Sequence, residues 1–266
     1  MIKMIATDID GTILNWNGEF NSAVLKCIKE LDENGVKVVL VTGRMHSSTT
    51  PIAEKLGLKT PIASYQGGLV KDFNNETLFQ TQLSPETAKK IISWARKNNI
   101  HINLYLDDKL YVEQDNDAIK RYVVGKFVDY TVCNFDDLEI KNVNKILAID
   151  FENAQKVTDW VEELNKSFSD LYVVKSTPYY CEIGTKDTKK SSAVNFLRNM
   201  WGFDKSEVLT IGDQDNDVEL LKSGGIAVAM GNATENLKKY ADFITDTVEN
   251  DGFVKAVEKF TGVKNV

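Results

Sequence analysis

Five residues near the start of the chain, Asp8-Ile9-Asp10-Gly11-Thr12, set two carboxylates, a glycine and a hydroxyl just after the apolar run Met4-Ile5-Ala6, with Thr7 between. If that run is a strand, the two acids straddle its C-terminal edge. There the chain leaves pleated geometry, and both can face the crevice in which open α/β sheets bind ligands. Acids are poor residues for the core of a strand. Taken alone, the pattern is also that of a polar strand end with a turn at Gly11.

Two further clusters shift the balance. Thr42-Gly43-Arg44 follows the β-branched run Val36 to Val41, and Gly212-Asp213-Gln214-Asp215-Asn216-Asp217 follows Val208 to Ile211. In a parallel sheet the C-terminal ends of all strands share one edge, so residues far apart in the chain converge there. Asp8, Asp10, Asp213 and Asp217 in one crevice would repel one another unless a cation neutralised them. All-oxygen ligands suit a hard ion, and Mg²⁺ suits a few carboxylates with waters and a phosphate. Thr42, the N–H groups after it and a lysine from a helix start supply donors for phosphate oxygens. The chemistry this implies is phosphoryl transfer.

These clusters need elements to hold them. The apolar positions Val24, Leu25, Ile28 and Leu31 predict a helix over Ser22 to Asn34 with Gly35 as its stop. A helix is expected around Pro51 to Leu56, and a short strand at Pro61-Ile62-Ala63 leads into Gln66-Gly67-Gly68. The last part of the chain repeats this grammar: a helix from Lys190 to Met200, the strand Val208 to Ile211, a helix with Val218 and Leu221, the strand Ile226 to Met230, then Phe243-Ile244-Thr245 and a helix carrying Val254, Val257 and Phe260. Such alternation implies a doubly wound parallel sheet with helices on both faces. The middle differs. Ile100 to Leu106 and Leu110 to Glu113 flank Asp107-Asp108-Lys109 as a hairpin, and Leu171 to Lys175 and Tyr179 to Ile183 flank Ser176-Thr177-Pro178 as another. With helices at Pro85 to Lys97 and Ala154 to Phe168 and a strand at Lys145 to Phe151, residues 84–185 read as an α+β domain inserted into an α/β core of residues 1–83 and 186–266.

Composition narrows the function classes. The 266 residues, 42% apolar and 27% charged, are those of a soluble globular protein of one large or two smaller domains. A net charge of −7 without a basic block argues against a nucleic-acid partner. Met1-Ile2-Lys3-Met4 runs straight into a strand with no room for a signal peptide, and no apolar run approaches the roughly 20 residues that span a bilayer. Cys27, Cys133 and Cys181 lie in no metal-ligand spacing and read as thiols of a reducing compartment, so a cytoplasmic location is expected. His46 and His101 are the only histidines, which excludes a His-based triad or a His-rich zinc site.

Asp8-Ile-Asp10-Gly-Thr12, Thr42-Gly43-Arg44, Lys190 and Gly212-Asp213-x-x-Asn216-Asp217 together resemble the four motifs of the haloacid dehalogenase superfamily. Ala227 to Ala233 and Ala241-Asp242-Phe243-Ile244-Thr245 are similar to its Cof-type branch, the class IIB cap phosphatases, and the inserted middle fits that branch's cap. The resemblance implies that Asp8 is a nucleophile forming an aspartyl-phosphate. It implies that Asp10 is the general acid for the leaving alcohol and then the general base for water. By the same resemblance Asp8, Asp10 (through its carbonyl) and Asp213 hold Mg²⁺, and Asn216 and Asp217 complete or orient the metal shell. Thr42, Gly43, Lys190 and Asn216 face the substrate's phosphoryl group. Lys190 is preferred to Lys186 and Lys189 because Ala193, three residues on, matches the motif's Lys-x-x-Ala spacing. Thr42 can equally cap the following helix, Arg44 can pair with an acid as readily as reach a substrate, and Asp215 is expected to point away as a helix-start acid. Two positions depart from the pattern: Gln66 stands where the family usually has Asn, and Gln214, expected to face solvent, where a small residue is common.

The expected activity is that of a Mg²⁺-dependent phosphatase of small phosphorylated metabolites, sugar phosphates foremost. Alternatives are a phosphotransferase or phosphomutase on the same site, or a binding protein that kept the fold without the chemistry. A phospho-acceptor receiver module is a single domain of about half this length and has no use for a cap.

Overall fold

The computed structural model describes residues 1–126 and 128–263, and all statements of structure concern these. The chain runs β1 (Met4–Thr7), α1 (Ser22–Glu33), β2 (Lys37–Leu40), α2 (His46–Lys55), β3 (Ile62–Ser64), β4 (Leu69–Lys71) and β5 (Thr77–Gln80). It continues through α3 (Pro85–Lys97), β6 (His101–Leu106), β7 (Lys109–Val112), α4 (Asp117–Val123), β8 (Tyr130–Val132), β9 (Val143–Ile149), α5 (Ala154–Ser167), β10 (Leu171–Thr177) and β11 (Tyr180–Thr185). The last stretch holds α6 (Lys190–Met200), β12 (Val208–Gly212), α7 (Val218–Ser223), β13 (Ile226–Ala229), α8 (Glu235–Lys238), β14 (Phe243–Ile244) and α9 (Gly252–Thr261). Two compact units result, one of residues 1–79 with 189–266 and one of residues 80–188.

The first unit is built on a five-stranded sheet in the order β14-β13-β12-β1-β2, all neighbours parallel. Its strands read as near-continuous apolar runs because both faces are covered. Ile5, Val38, Leu40, Leu209 and Ile211 project into one buried cluster with Val24, Cys27 and Ile28 of α1 and Phe253 and Val257 of α9. Their neighbours Met4, Ala6, Val39, Val41 and Val208 project to the other face, against Ala193, Val194 and Leu197 of α6 and Leu220 of α7. The period of two in each strand sends adjacent residues to opposite layers. β1 lies between β12 and β2 with Thr7 in register with both Ile211 and Leu40, so the three chains leave the sheet at the same level.

Helix α2 starts five residues before Pro51, where the sequence predicts only a short helix near that proline. The polar run His46 to Thr50 carries no apolar stripe. Its first turn is secured instead by Ser48 and Thr49, whose hydroxyls donate to the Met45 carbonyl at 3.1 and 2.7 Å.

The second unit is a six-stranded sheet, β10-β11-β9-β6-β7-β8, antiparallel except for β7 and β8. Ile91 and Ile92 of α3 and Val157 and Leu164 of α5 pack with Ile102, Leu104, Ile146 and Ile183 in one core. Asp107 and Asp108 turn the β6–β7 hairpin with φ of 48° and 58°, the two positive angles a tight turn matching the strand twist requires. Helix α4 and strand β8 were not visible in the sequence pattern. This architecture, a parallel α/β core with an inserted α+β unit, is the expected fold class. Among the described residues no helix is long and apolar enough to cross a membrane.

Candidate active site

The ladder that aligns β1 with its neighbours continues one step past the strand, since the Asp8 N–H donates to the Ile211 carbonyl at 3.0 Å and the Val41 N–H to the Thr7 carbonyl at 2.9 Å. Asp8 is thereby held at the sheet edge between the loops that carry Thr42 and Asp213. Lys190 opens α6, a position where a cation is disfavoured by the helix dipole, and its side chain is fully buried. Two carboxylates offset this: its Nζ lies 2.6 Å from Asp8 Oδ1 and 2.5 Å from Asp217 Oδ1. Of the three lysines at this point in the chain, Lys190 is the one that reaches Asp8.

Asp213 sits at the end of β12, buried, and accepts from Thr12 Oγ1 at 3.0 Å and from Gln214 Nε2 at 2.9 Å. Gln214 therefore turns inward and orients an acid of the site, contrary to the solvent-facing position expected for it. Asp217 is saturated: Lys190 binds one oxygen, and the backbone N–H groups of Asp213 and Gln214 donate to the other at 2.9 and 3.1 Å. Asp8 Oδ2, by contrast, accepts no hydrogen bond among the described residues. Gly11, with φ of 79°, closes the turn after Asp10, and a Cβ there would collide with the Asp213 carboxylate. Asn232 clamps that turn from β13's loop, donating to the Gly11 carbonyl at 2.8 Å and accepting from the Val248 N–H at 2.9 Å.

Carboxylate oxygens of Asp8, Asp213 and Asp217 lie within 4.8 Å of one another. Burial pushes Asp8 up to about 7, with Lys190 opposing and Asp217 and Asp10 adding to the rise. Asp213 is raised well above the ordinary carboxylate range by burial and by the charges of Asp8 and Asp217. Three buried carboxylates against one ammonium leave an excess of negative charge, and such a donor set of hard oxygens fits a divalent cation.

Asp10 stands apart from this cluster. Both of its carboxylate oxygens are taken by Arg44, from Nε at 2.7 Å and from Nη2 at 2.6 Å, and its side chain remains 38% exposed. A bidentate guanidinium fork thus holds the Asp10 carboxylate, while the metal contact expected of Asp10 runs through its backbone carbonyl. Arg44, left out of the sequence-derived set, belongs to the site through this pair. Thr42 is buried and its Oγ1 accepts the Arg44 N–H at 3.2 Å; it does not cap α2, whose cap position is Met45. Gly43 lies between them in the same loop. Asp215 turns outward to Thr234 and Asn236, at 2.6 and 3.3 Å. Asn216 is buried and donates to Gln66 Oε1 at 3.1 Å.

A parallel α/β core with an inserted α+β unit and buried acids at the strand ends is the architecture of one hydrolase family, and residues 5–257 match its model, haloacid dehalogenase-like hydrolase. The chain belongs to this family. A 5-amino-6-(5-phospho-D-ribitylamino)uracil phosphatase of Bacillus subtilis is 29% identical, covering 96% of this chain and 94% of its own. The crystal structure of a Thermotoga maritima protein is 33% identical, with a TM-score of 0.83 over 100% of this chain and 99% of that one. A subclass IIB sugar phosphatase, 20% identical over 98% of this chain and all of its own, shares the fold at a TM-score of 0.85. The chain is accordingly a hydrolase of the haloacid dehalogenase-like family.

Proposed function

We propose that the protein is a Mg²⁺-dependent phosphatase of small phosphorylated metabolites, sugar and polyol phosphates foremost, working through an aspartyl-phosphate on Asp8. The observation that carries this reading is the unpaired Oδ2 of Asp8, fixed at the sheet edge while Lys190 holds Oδ1. The phosphorylated ribityl chain in the name of the Bacillus relative supports the substrate class.

Asp8 Oδ2 attacks phosphorus and the bond to the leaving oxygen breaks, with Asp10 giving that oxygen its proton. Water then attacks the acyl phosphate, Asp10 takes its proton, and inorganic phosphate leaves with the Asp8 carboxylate restored. Thr42 Oγ1, the loop N–H groups from Gly43 on, and Lys190 hold the phosphoryl oxygens as charge shifts onto them. Because Arg44 occupies both oxygens of Asp10, Asp10 acts only after rotating off that fork. Asp8, Asp213 and the Asp10 carbonyl would hold Mg²⁺, with Asp217 fixing their geometry. Bound there, the ion neutralises the acids and draws electron density from the phosphoryl group. Residues 84–185 are read as the cap, the part of the chain that sets which phosphate ester is taken. The three cysteines are free thiols, the state that a reducing cytoplasm maintains.

Steady phosphate release from p-nitrophenyl phosphate tests this. Activity should vanish in EDTA and return with Mg²⁺ but not with Ca²⁺, whose looser and larger shell misplaces the reacting groups. Undiminished turnover in EDTA would remove the metal from the reading.

The elevated Asp8 adds a second expectation. Its folded value of about 7 lies above the ordinary carboxylate value of 3.8. Metal-free folded protein therefore keeps a proton that the unfolded chain releases. The stability from that proton is complete below the ordinary value and is lost as pH rises through the folded one. The melting temperature in EDTA should fall between about pH 4 and pH 7, and Mg²⁺ should restore more of it at the upper end. A flat profile in EDTA would mean that Asp8 ionises as an ordinary carboxylate.

A further inference from the structure

The loop after β3 holds three consecutive residues in the left-handed region: Tyr65 at φ 53°, Gln66 at 57° and Gly67 at 84°. Glycine and asparagine settle there readily, whereas glutamine has no backbone reason to. Backbone held in a sparsely populated region marks a place that the surrounding structure over-determines, often for function.

The side chain of Gln66 explains the choice. It is 3% exposed, its Oε1 accepts from Asn216 Nδ2 at 3.1 Å, and its Nε2 has no hydrogen-bond partner among the described residues. Asn216, 7% exposed, likewise has a partnerless Oδ1. Turning both amides over changes nothing in this count. A single bond between two primary amides uses one donor and one acceptor and leaves an NH₂ on one residue and a carbonyl on the other.

The pair is fastened to the rest of the site. The Gln66 N–H donates to the Thr42 carbonyl at 2.9 Å. Gly67 presses so closely on the start of α6 that a Cβ would collide with the Lys189 carbonyl, beside Lys190. Asn216 immediately precedes Asp217, which Lys190 grips. A buried amide with donors to spare, tied to Thr42, Lys190 and Asp217, fits an anionic oxygen as its missing partner.

We propose that Gln66 is a binding residue of the phosphoryl site: it fixes Asn216 through the amide–amide bond and gives its free N–H to a phosphoryl oxygen of the bound ester. This rests on the phosphatase reading for the identity of the ester, and its glutamine length, not its backbone fit, is what the site uses. Gln66→Asn separates the two. It keeps the amide and suits the left-handed backbone better, but falls one methylene short of Asn216. Gln66→Met keeps the length and removes the hydrogen bonds.

Both variants are compared with the parent, Mg²⁺ present, for inorganic phosphate binding by calorimetry and for kcat and KM on p-nitrophenyl phosphate. Gln66→Asn should melt at or above the parent temperature. In both variants the phosphate Kd and KM should rise about tenfold, ~1.4 kcal/mol, with kcat changed far less, as loss of uniform binding requires. Folded variants that bind phosphate within about twofold of the parent overturn the proposal, as does a parent that binds no phosphate. A parent that binds phosphate, loses it on Gln66→Asn and yet turns over no ester upholds Gln66 and sinks the phosphatase reading instead.

Discussion

Asp8→Asn should lower kcat on any phosphate monoester by at least about 10⁴-fold, with the fold intact. The amide keeps the shape of the carboxylate, and its oxygen can still accept from Lys190, which reaches Asp8 Oδ1 at 2.6 Å. What is lost is the anionic Oδ2, the one carboxylate oxygen of the acid cluster that accepts no hydrogen bond among the described residues. An amide is too weak a nucleophile to open a phosphate ester, and it cannot serve as a charged metal ligand. The substitution also removes a buried charge whose burial is the largest influence on Asp8. The fall of melting temperature with pH in EDTA should therefore flatten in the variant. Circular dichroism, turnover and melting curves across pH check all three points. A variant retaining a tenth of parental kcat would end the covalent route, because general acid catalysis alone would then account for the rate.

Lys190→Met should damage both stability and catalysis. The ammonium is fully buried between Asp8 and Asp217, and removing one partner of a buried ion pair leaves charge uncompensated, at a cost of about 3–5 kcal/mol. Here two carboxylates lose their counter-ion at once. Transition-state charge on the phosphoryl oxygens loses a donor too, which lowers kcat/KM by on the order of 10²–10³-fold. Urea unfolding at about pH 8 measures the first effect, and Mg²⁺ should recover part of it by neutralising the same acids. If unfolding is unchanged and kcat/KM drops less than tenfold, Lys190 is a helix-start charge with no part in the site.

Much of the core was legible because its signals are local. An apolar strand followed by Asp8, a β-branched strand followed by Thr42, and a strand followed by Asp213 place three loops on one edge through topology alone. Helix α6 has the bounds its pattern predicts, Lys190 to Met200, since Ala193, Val194 and Leu197 mark the buried face. The pairings inside the site were not legible. Arg44 on Asp10, Gln214 on Asp213, Gln66 on Asn216 and Asn232 on Gly11 depend on how each loop bends, and no spacing along the chain encodes that. Three of these rest on a neutral side-chain amide with no charge pattern to betray it, and the fourth, Arg44–Asp10, joins opposite charges that lie in separate loops. Likewise the first half of α2, His46 to Thr50, escaped because hydroxyls, not apolar residues, secure its first turn.

The strand that presents Asp8 is also the strand whose partners are made furthest apart. Ala6 pairs with Val39 on one side and with Thr210 on the other, so on the ribosome β1 gains one neighbour early and waits through the whole insertion for the second. Residues 80–188 are contiguous and have an apolar core of their own, which lets them condense while β1 still shows a bare edge. Contacts this distant in sequence slow folding, and an unpaired apolar edge recruits other chains. Nascent or truncated chains that end between α5 and β12 are therefore the aggregation-prone species of this protein, and synthesis of the last strands is the step that both completes the catalytic edge and closes the hazard.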